Sequence, residues 1–339
     1  MRVLVVKLSS LGDVVHTFPA LTDAMHAVPG LEVDWAVEEA FAPIARLHPA
    51  VRETITVPLR RLKKRPLAAL AGGEAAATRR ALAGRRYDVV IDAQGLVKSA
   101  LVSMIAQGPR HGFDRESARE GLAAIAYHGR HRVPEVEHMA ERIRKLFAAA
   151  LGYSLEGRPL DTGLRPLPLP GGDPPHLVFL HGTTWPTKTW TVAGWRALAR
   201  EAQAAGMQAL VFTQGAAEAA RAAAIAEGRP AVEPLPPQPL ATLIPLIASA
   251  AGVVSVDTGL GHLAAAFGVP TVGLYGPTDP RLTGLIGARV RELVSRRDCA
   301  PCEKGRCRIA PATIEGPPCL ADFAAATVWR ALSDLSAPH

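Results

Sequence analysis

Three observations predict an α/β protein made of two Rossmann-like domains. Short β-branched runs alternate with amphipathic, alanine-rich segments; a proline-glycine stretch interrupts the alternation near mid-chain; and the alternation then restarts. The chain has 339 residues, 48% of them hydrophobic and 20% charged, enough for more than one core.

The first half supplies strand candidates at Arg2 to Leu8, Leu31 to Val37, Glu53 to Val57 and Val89 to Asp92. Pro166 to Pro175 reads PLPLPGGDPP, which sustains neither a helix nor a central strand and is expected to be a linker. Beyond it the strand candidates are Leu177 to Leu180, Ala209 to Phe212, Val253 to Val256 and Thr271 to Tyr275. The expected division is therefore a domain over 1–165, a linker over 166–175, a second domain over 176–319 and a C-terminal helix within 320–339. Pro234 to Val256 is uncharged, but its prolines and polar residues break it into a turn, an amphipathic helix (Leu243, Leu246, Ile247) and a strand. No transmembrane segment is expected. The N-terminus runs straight into a strand without a secretory pattern, so a cytosolic protein is expected.

The net charge of +7 is uneven. Residues 1–165 carry 24 Lys/Arg against 18 Asp/Glu, whereas residues 166–339 carry 14 against 13. The densest run is Arg60-Arg61-Leu62-Lys63-Lys64-Arg65, with clusters at Arg110 to Arg119 and His128 to Arg132. Aromatics make up only 5% and do not interleave with the basic runs, which argues against a single-stranded nucleic-acid platform. An anionic lipid or substrate remains.

Ligands of open parallel sheets bind beyond the carboxyl ends of the strands, so the polar residues there are the candidates. The first strand feeds LSSLGDVVHTFPAL, where the turn into a helix ends in Asp13 rather than in a glycine-rich phosphate cradle. Asp is also among the best helix N-caps. In VVSVDTGLGHL, Asp257-Thr258-Gly259 turns a buried strand into a helix near His262; helix-start N–H groups and close-fitting glycines suit a pyrophosphate. HGTTWPTKTW adds the hydroxyls of Thr183 and Thr184 and the charge of Lys188, suited to neutralising a leaving diphosphate. Glu218, in TQGAAEAAR, is placed to accept from ribose hydroxyls or simply to favour a helix's first turn. All four cysteines fall in CAPCEKGRCRIAPATIEGPPC, and the spacing of Cys299, Cys302, Cys307 and Cys319 fits a structural tetrathiolate zinc site, with free thiols or a disulfide as alternatives.

These segments, with DWAVEEAFAPI, YDVVIDAQGLVKSAL and YGPTDP, resemble the lipopolysaccharide heptosyltransferases of glycosyltransferase family 9. The resemblance implies a GT-B fold, with two Rossmann-like domains facing across a cleft. It implies inverting transfer of L-glycero-D-manno-heptose from ADP-heptose to a Kdo sugar of Kdo-lipid A, with addition of a second heptose as the alternative. It gives Asp13 the part of catalytic base, and Thr183, Thr184, Lys188, Glu218, Asp257, Thr258, Gly259 and His262 the binding of ADP and heptose. No cofactor is then expected for the chemistry. An anomeric substitution needs a proton acceptor for the incoming hydroxyl and positive stabilisation for the departing diphosphate, and two separate turns satisfy both demands. The basic first half is expected to meet the acceptor's phosphates and carboxylates through Arg60, Arg61, Lys63 and Lys64, with Arg119 and Lys145 as further candidates, at the cytoplasmic face of the inner membrane.

Two rival classes are weighed against this one. Gly259 to Ala264 satisfies G-x-G-x-x-A, with Asp279 where a ribose-binding acid of a nicotinamide enzyme would fall, but that reading leaves Asp13 without a role. A periplasmic-type binding protein is disfavoured by the absence of a secretory pattern.

Overall fold

The computed structural model describes residues 1–59, 61, 73–167, 175–310 and 316–336. The chain divides into two compact units, Met1–Gly163 and Leu164–His339. Each contains one six-stranded, all-parallel sheet flanked by helices. The expected α/β class with two Rossmann-like domains is observed.

In the first unit the strands are β1 (Arg2–Val6), β2 (Glu32–Glu38), β3 (Val51–Val57), β4 (Val89–Asp92), β5 (Arg110–Phe113) and β6 (Gly129–His131), in the order β3-β2-β1-β4-β5-β6. In the second they are β7 (His176–Leu180), β8 (Gln208–Phe212), β9 (Val232–Leu235), β10 (Gly252–Val256), β11 (Thr271–Tyr275) and β12 (Val290–Val294), in the order β12-β11-β10-β7-β8-β9. Taken from its own first strand, each sheet runs 3-2-1-4-5-6, the doubly wound order in which ligands bind where the winding reverses. That reversal lies between β1 and β4 in one unit and between β7 and β10 in the other.

The eight strands expected from sequence all form; central ones such as β1, β10 and β11 are near-continuous apolar runs because both of their faces are covered, whereas the edge strand β3, VRETITV, alternates and is only partly buried. The four unforeseen strands are short and polar: RHGF, GRH, VEPL and VRELV. Three of them are sheet edges, where one neighbour suffices and apolar patterning is not required. Gly112 in β5 has a structural reason: a Cβ there would fall 2.4 Å from the Tyr127 ring.

The first core gathers Leu4, Val6, Leu8, Ala36, Ile55 and Val90. The second gathers Phe179, Trp190, Trp195, Val254, Val272, Val328 and Leu332. The last two belong to the helix Ala325–Ser336, so the C-terminal segment docks in the core of the second unit. The single helix expected there is broken into Pro318–Ala321 and Ala325–Ser336. Of the expected linker, residues 168–174 lie outside the described residues, and Leu167 already donates its N–H to Ala248 O at 3.0 Å. Among the described residues no helix is long and apolar enough to cross a membrane.

Candidate active site

Asp13 lies one turn beyond β1, in the helix Leu11–Val15. Ser10 caps that helix, and its N–H and Oγ each donate to Asp13 Oδ2 at 2.9 Å, so the carboxylate closes a capping box. The other oxygen, Oδ1, faces Lys7 Nζ at 3.5 Å. Lys7 is 1% exposed and also donates to Ala93 O at 2.9 Å. Burial pulls the Lys7 pKa down, against the raising effect of Asp13 and Asp92. The Asp13 side chain keeps 19% of its surface exposed. Burial pushes its pKa up, but the Lys7 charge and the two Ser10 hydrogen bonds outweigh it and hold the carboxyl at about 2. Capping and availability therefore coexist in one side chain.

The loop after β4 fixes this turn from the other side of the winding reversal. Gln94 Oε1 accepts from Leu8 N at 2.8 Å and from Ser9 N at 3.2 Å, and its Nε2 donates to Ser9 O at 2.6 Å. Lys98 Nζ donates to Ser9 Oγ at 3.4 Å. Asp92 is fully buried, accepting from Tyr127 Oη at 2.7 Å and from the N–H groups of Gln94 and Gly95. Burial raises its pKa, with those bonds opposing. It is a turn-building acid with no edge toward solvent.

In the second unit Asp257 is the hub. It follows β10, keeps a tenth of its side chain exposed, and its Oδ2 pairs with Lys188 Nζ at 2.6 Å. Thr278 Oγ1 donates to the same oxygen at 2.8 Å, His262 Nε2 stands 3.7 Å from Oδ1, and Thr183 Oγ1 donates to Asp257 O at 3.5 Å. Burial raises the Asp257 pKa, but the His262 hydrogen bond and the Lys188 charge drive it well below the ordinary carboxylate value. The helix Gly259–Ala266 begins two residues later, with Thr258 as an extended N-cap whose side chain makes no capping bond, while Gly261 N donates back to Thr258 O at 3.0 Å. Gly261 fits where a Cβ would fall 2.4 Å from Ser255 Oγ, which seats this helix tightly on its strand. Lys188, at the end of the turn Pro186–Lys188, lies 4.5 Å from the Trp185 ring centroid.

Glu218 joins this edge from the helix Ala216–Ala226. Its carboxylate accepts from Gln214 N at 2.8 Å and covers Gly182, where a Cβ would sit 2.5 Å from its carboxyl atoms. Gly182→Ala is therefore expected to displace Glu218 while leaving β7 intact. Calorimetry should record weaker ADP binding by about tenfold, a loss of one charge-assisted hydrogen bond, with an unchanged far-UV spectrum.

The structure thus brings Thr183, Lys188, Glu218, Asp257, Thr258, Gly259 and His262 to one edge of the second sheet, with Thr184 exposed in the same loop. The sequence alone does not single out Thr278 within YGPTDP, nor Lys7, because a lysine ending a strand ordinarily points to water. The acceptor candidates fare differently. Arg60, Lys63 and Lys64 lie outside the described residues. Arg61 is held between Glu39 and Glu74, the latter at 2.6 Å, so its charge is already matched by two carboxylates. Lys145 pairs with Glu137 at 2.6 Å, while Arg119 is exposed and close enough to Lys7 to depress its pKa.

The four cysteines are free thiols that line one cavity of about 310 Å³ together with Thr187, Pro277 and Lys304. Burial, and then the nearness of the other three, pushes the Cys319 thiol up to about 11. Among the described residues no three His, Cys, Asp or Glu side chains are drawn together as a metal ligand set.

The nicotinamide reading fails on topology. The dinucleotide fingerprint follows the first strand of its sheet, with its acid after the second. Here the glycines follow β10, the fourth, and Asp279 caps the helix Pro280–Thr283 while pairing with Arg281.

Comparison with known proteins decides the matter, because the family model described as glycosyltransferase family 9 (heptosyltransferase) matches residues 75–313. The chain belongs to that family. It is similar to lipopolysaccharide heptosyltransferase 1 of Pseudomonas aeruginosa, 48% identical over 314 residues that cover 92% of this chain and 88% of the relative. It is also similar to lipopolysaccharide heptosyltransferase 1 of Escherichia coli K12, 46% identical over 296 residues, covering 85% and 91%. Among solved structures it superposes on E. coli heptosyltransferase WaaC with ADP at a TM-score of 0.86 and 39% identity, over 99% of this chain and 100% of the other. E. coli heptosyltransferase II shares the fold, at a TM-score of 0.76 and 22% identity. As a family 9 member the chain is a glycosyltransferase, and its GT-B fold class is as expected.

Proposed function

We propose that the chain transfers L-glycero-D-manno-heptose from ADP-heptose to a Kdo residue of Kdo-lipid A, at the cytoplasmic face of the inner membrane. The observation that carries this reading is the contrast between the two winding reversals. One ends in an ionised, partly exposed carboxylate, Asp13; the other in a lysine, hydroxyls and a helix start around Asp257. Relatives at 46–48% identity named heptosyltransferase 1 favour the first heptose over the second.

In this mechanism Lys188 and the N–H groups opening the helix Gly259–Ala266 hold the diphosphate and stabilise its growing charge on departure. Lys188 then exchanges part of its pairing with Asp257 for phosphate, while Asp257, kept ionised, accepts from a sugar hydroxyl. Thr183, Thr184 and His262 complete the polar wall, and Glu218 accepts from the ribose. Asp13 takes the acceptor's proton. A carboxyl held at about 2 is a weak base toward a resting hydroxyl. It therefore acts late, when bond formation to the anomeric carbon has already made the attacking hydroxyl acidic.

ADP release assayed with defined acceptors tests the reading. Turnover is expected on bare Kdo-lipid A and not on the singly heptosylated form; the reverse preference would assign the second heptose instead. The shared thiol cavity supports a secondary proposal, a structural zinc that draws Cys299, Cys302, Cys307 and Cys319 together and displaces their protons. It would steady the segment whose Lys304 carbonyl accepts from Thr187 Oγ1 at 2.7 Å, next to Lys188. Metal analysis of purified protein is expected to return one zinc per chain, and Cys302→Ser to lose it; metal-free wild-type protein with four titratable thiols would reject it.

A further inference from the structure

We propose that the first unit docks onto an anionic lipid bilayer through the exposed apolar face shared by the helix Val97–Ile105 and the short turn Gly121–Ala126. The inference rests on a lipid-linked acceptor and adds the surface that meets the membrane.

The two elements pack through small side chains: Ala100, Ala123 and Ala124 form a buried cluster with Tyr127. That packing turns the large residues outward. Val97, Leu101, Met104 and Ile105 follow helical spacing along one stripe, and Leu122 and Ile125 project from the neighbouring turn. All six are between 36% and 74% exposed. A contiguous patch of long apolar side chains on an otherwise polar surface marks a protein or membrane contact.

Charge favours the membrane. Between Gly95 and Arg132 the chain carries six Lys/Arg against three Asp/Glu. Arg115, Arg119 and Arg130 are exposed, and Arg115 packs beside Gly121 at the start of the turn, where a Cβ would lie 3.0 Å from its Cγ. Among the described residues, Arg132 is matched by Glu116 at 3.0 Å. A cationic margin around an apolar centre suits anionic headgroups over acyl chains. Two copies meeting symmetrically on this face would instead set like charges against each other.

The patch also adjoins the candidate base. Lys98, in the first turn of the same helix, reaches Ser9 Oγ, and the next residue, Ser10, holds Asp13. Glu120, just before the turn, accepts from Val97 N at 2.7 Å and keeps both elements in register. A bilayer held against this face leaves the headgroup of a lipid acceptor beside Asp13.

The test is sedimentation of the full chain with vesicles of phosphatidylcholine, alone or mixed with phosphatidylglycerol, in the absence of ADP-heptose. The wild type is expected to bind the mixed vesicles and to bind neutral ones less. Leu101→Ser with Ile125→Ser, both exposed and neutral for folding, is expected to weaken binding about tenfold for each side chain removed from lipid. The double variant should retain turnover on an acyl-free acceptor and lose it on a vesicle-embedded one. Wild-type protein that ignores anionic vesicles, or a variant that binds them equally, overturns the proposal. So does a wild type that sediments as a dimer through these residues. Vesicle binding is read without catalysis, so its failure and a failure of heptose transfer are told apart.

Discussion

Asp13→Asn is expected to lower turnover by about 10²–10⁴-fold, the range of a positioned general base, while ADP affinity measured by calorimetry stays at the wild-type value. The amide keeps Ser10 bonded at one oxygen, so the helix start survives. The ion pair does not, and Lys7 remains buried with Ala93 O as its main partner. Denaturant titration should therefore record a loss of about 2 kcal/mol, less than the ~3–5 of a fully buried broken pair because Asp13 is partly solvated. Lys7→Met added to Asp13→Asn is expected to restore part of that stability and none of the turnover. Recovery of turnover in the double variant would show that the carboxylate acts only through the fold.

The same residue sets an acid limit. Its folded pKa of about 2 lies below the ordinary 3.8, so its stabilisation is complete above roughly pH 4 and fades as pH falls toward 2. The wild type should lose about 2 kcal/mol across that window beyond what Asp13→Asn loses. Parallel acid titrations of the two proteins would rule out the depressed carboxyl.

Lys188→Met is expected to lower turnover by about 10²–10³-fold, since a leaving diphosphate then departs without its fixed cation. ADP binding should weaken as well, by about tenfold, because product and leaving group share the same contacts. Asp257 would lose the closest of its partners and keep Thr278 and His262, so melting should shift downward only modestly. A rise in KM with unchanged kcat would mean that Lys188 grips the donor equally before and during transfer, and the leaving-group role would fall.

Much of this was legible from residue order. Central strands such as Val89–Asp92 and Thr271–Tyr275 announce themselves because both faces are covered and the run between their polar ends is apolar. The turns after β1, β7 and β10 stand out because polar residues and glycines interrupt such runs. What escaped was whatever depends on a partner distant in sequence. Lys7 reads as a solvated lysine until Asp13, Ala93 and Asp92 are seen around it. Thr278 gains meaning only from Asp257, 21 residues earlier. Arg61 shows the same dependence: within the basic run it reads as an open cation, and its pairing with Glu39 and Glu74 is visible only in the fold. The edge strands β6 and β9 were hidden because a strand with a single neighbour tolerates glycine, proline and charge.

Both sheets follow one winding scheme, yet the turns at the two reversals carry different side chains, Asp13 with Lys7 in one and Asp257 with Lys188 in the other. On the proposed reading, nucleotide handling falls to residues after 175, and the proton acceptor with its proposed lipid-facing margin to residues before 135. Selection on sugar-acceptor preference can then rework the earlier half without disturbing how the activated sugar is gripped. Grafting residues 1–163 from a relative with another acceptor onto this second unit would make that modularity a practical route to altered glycolipids.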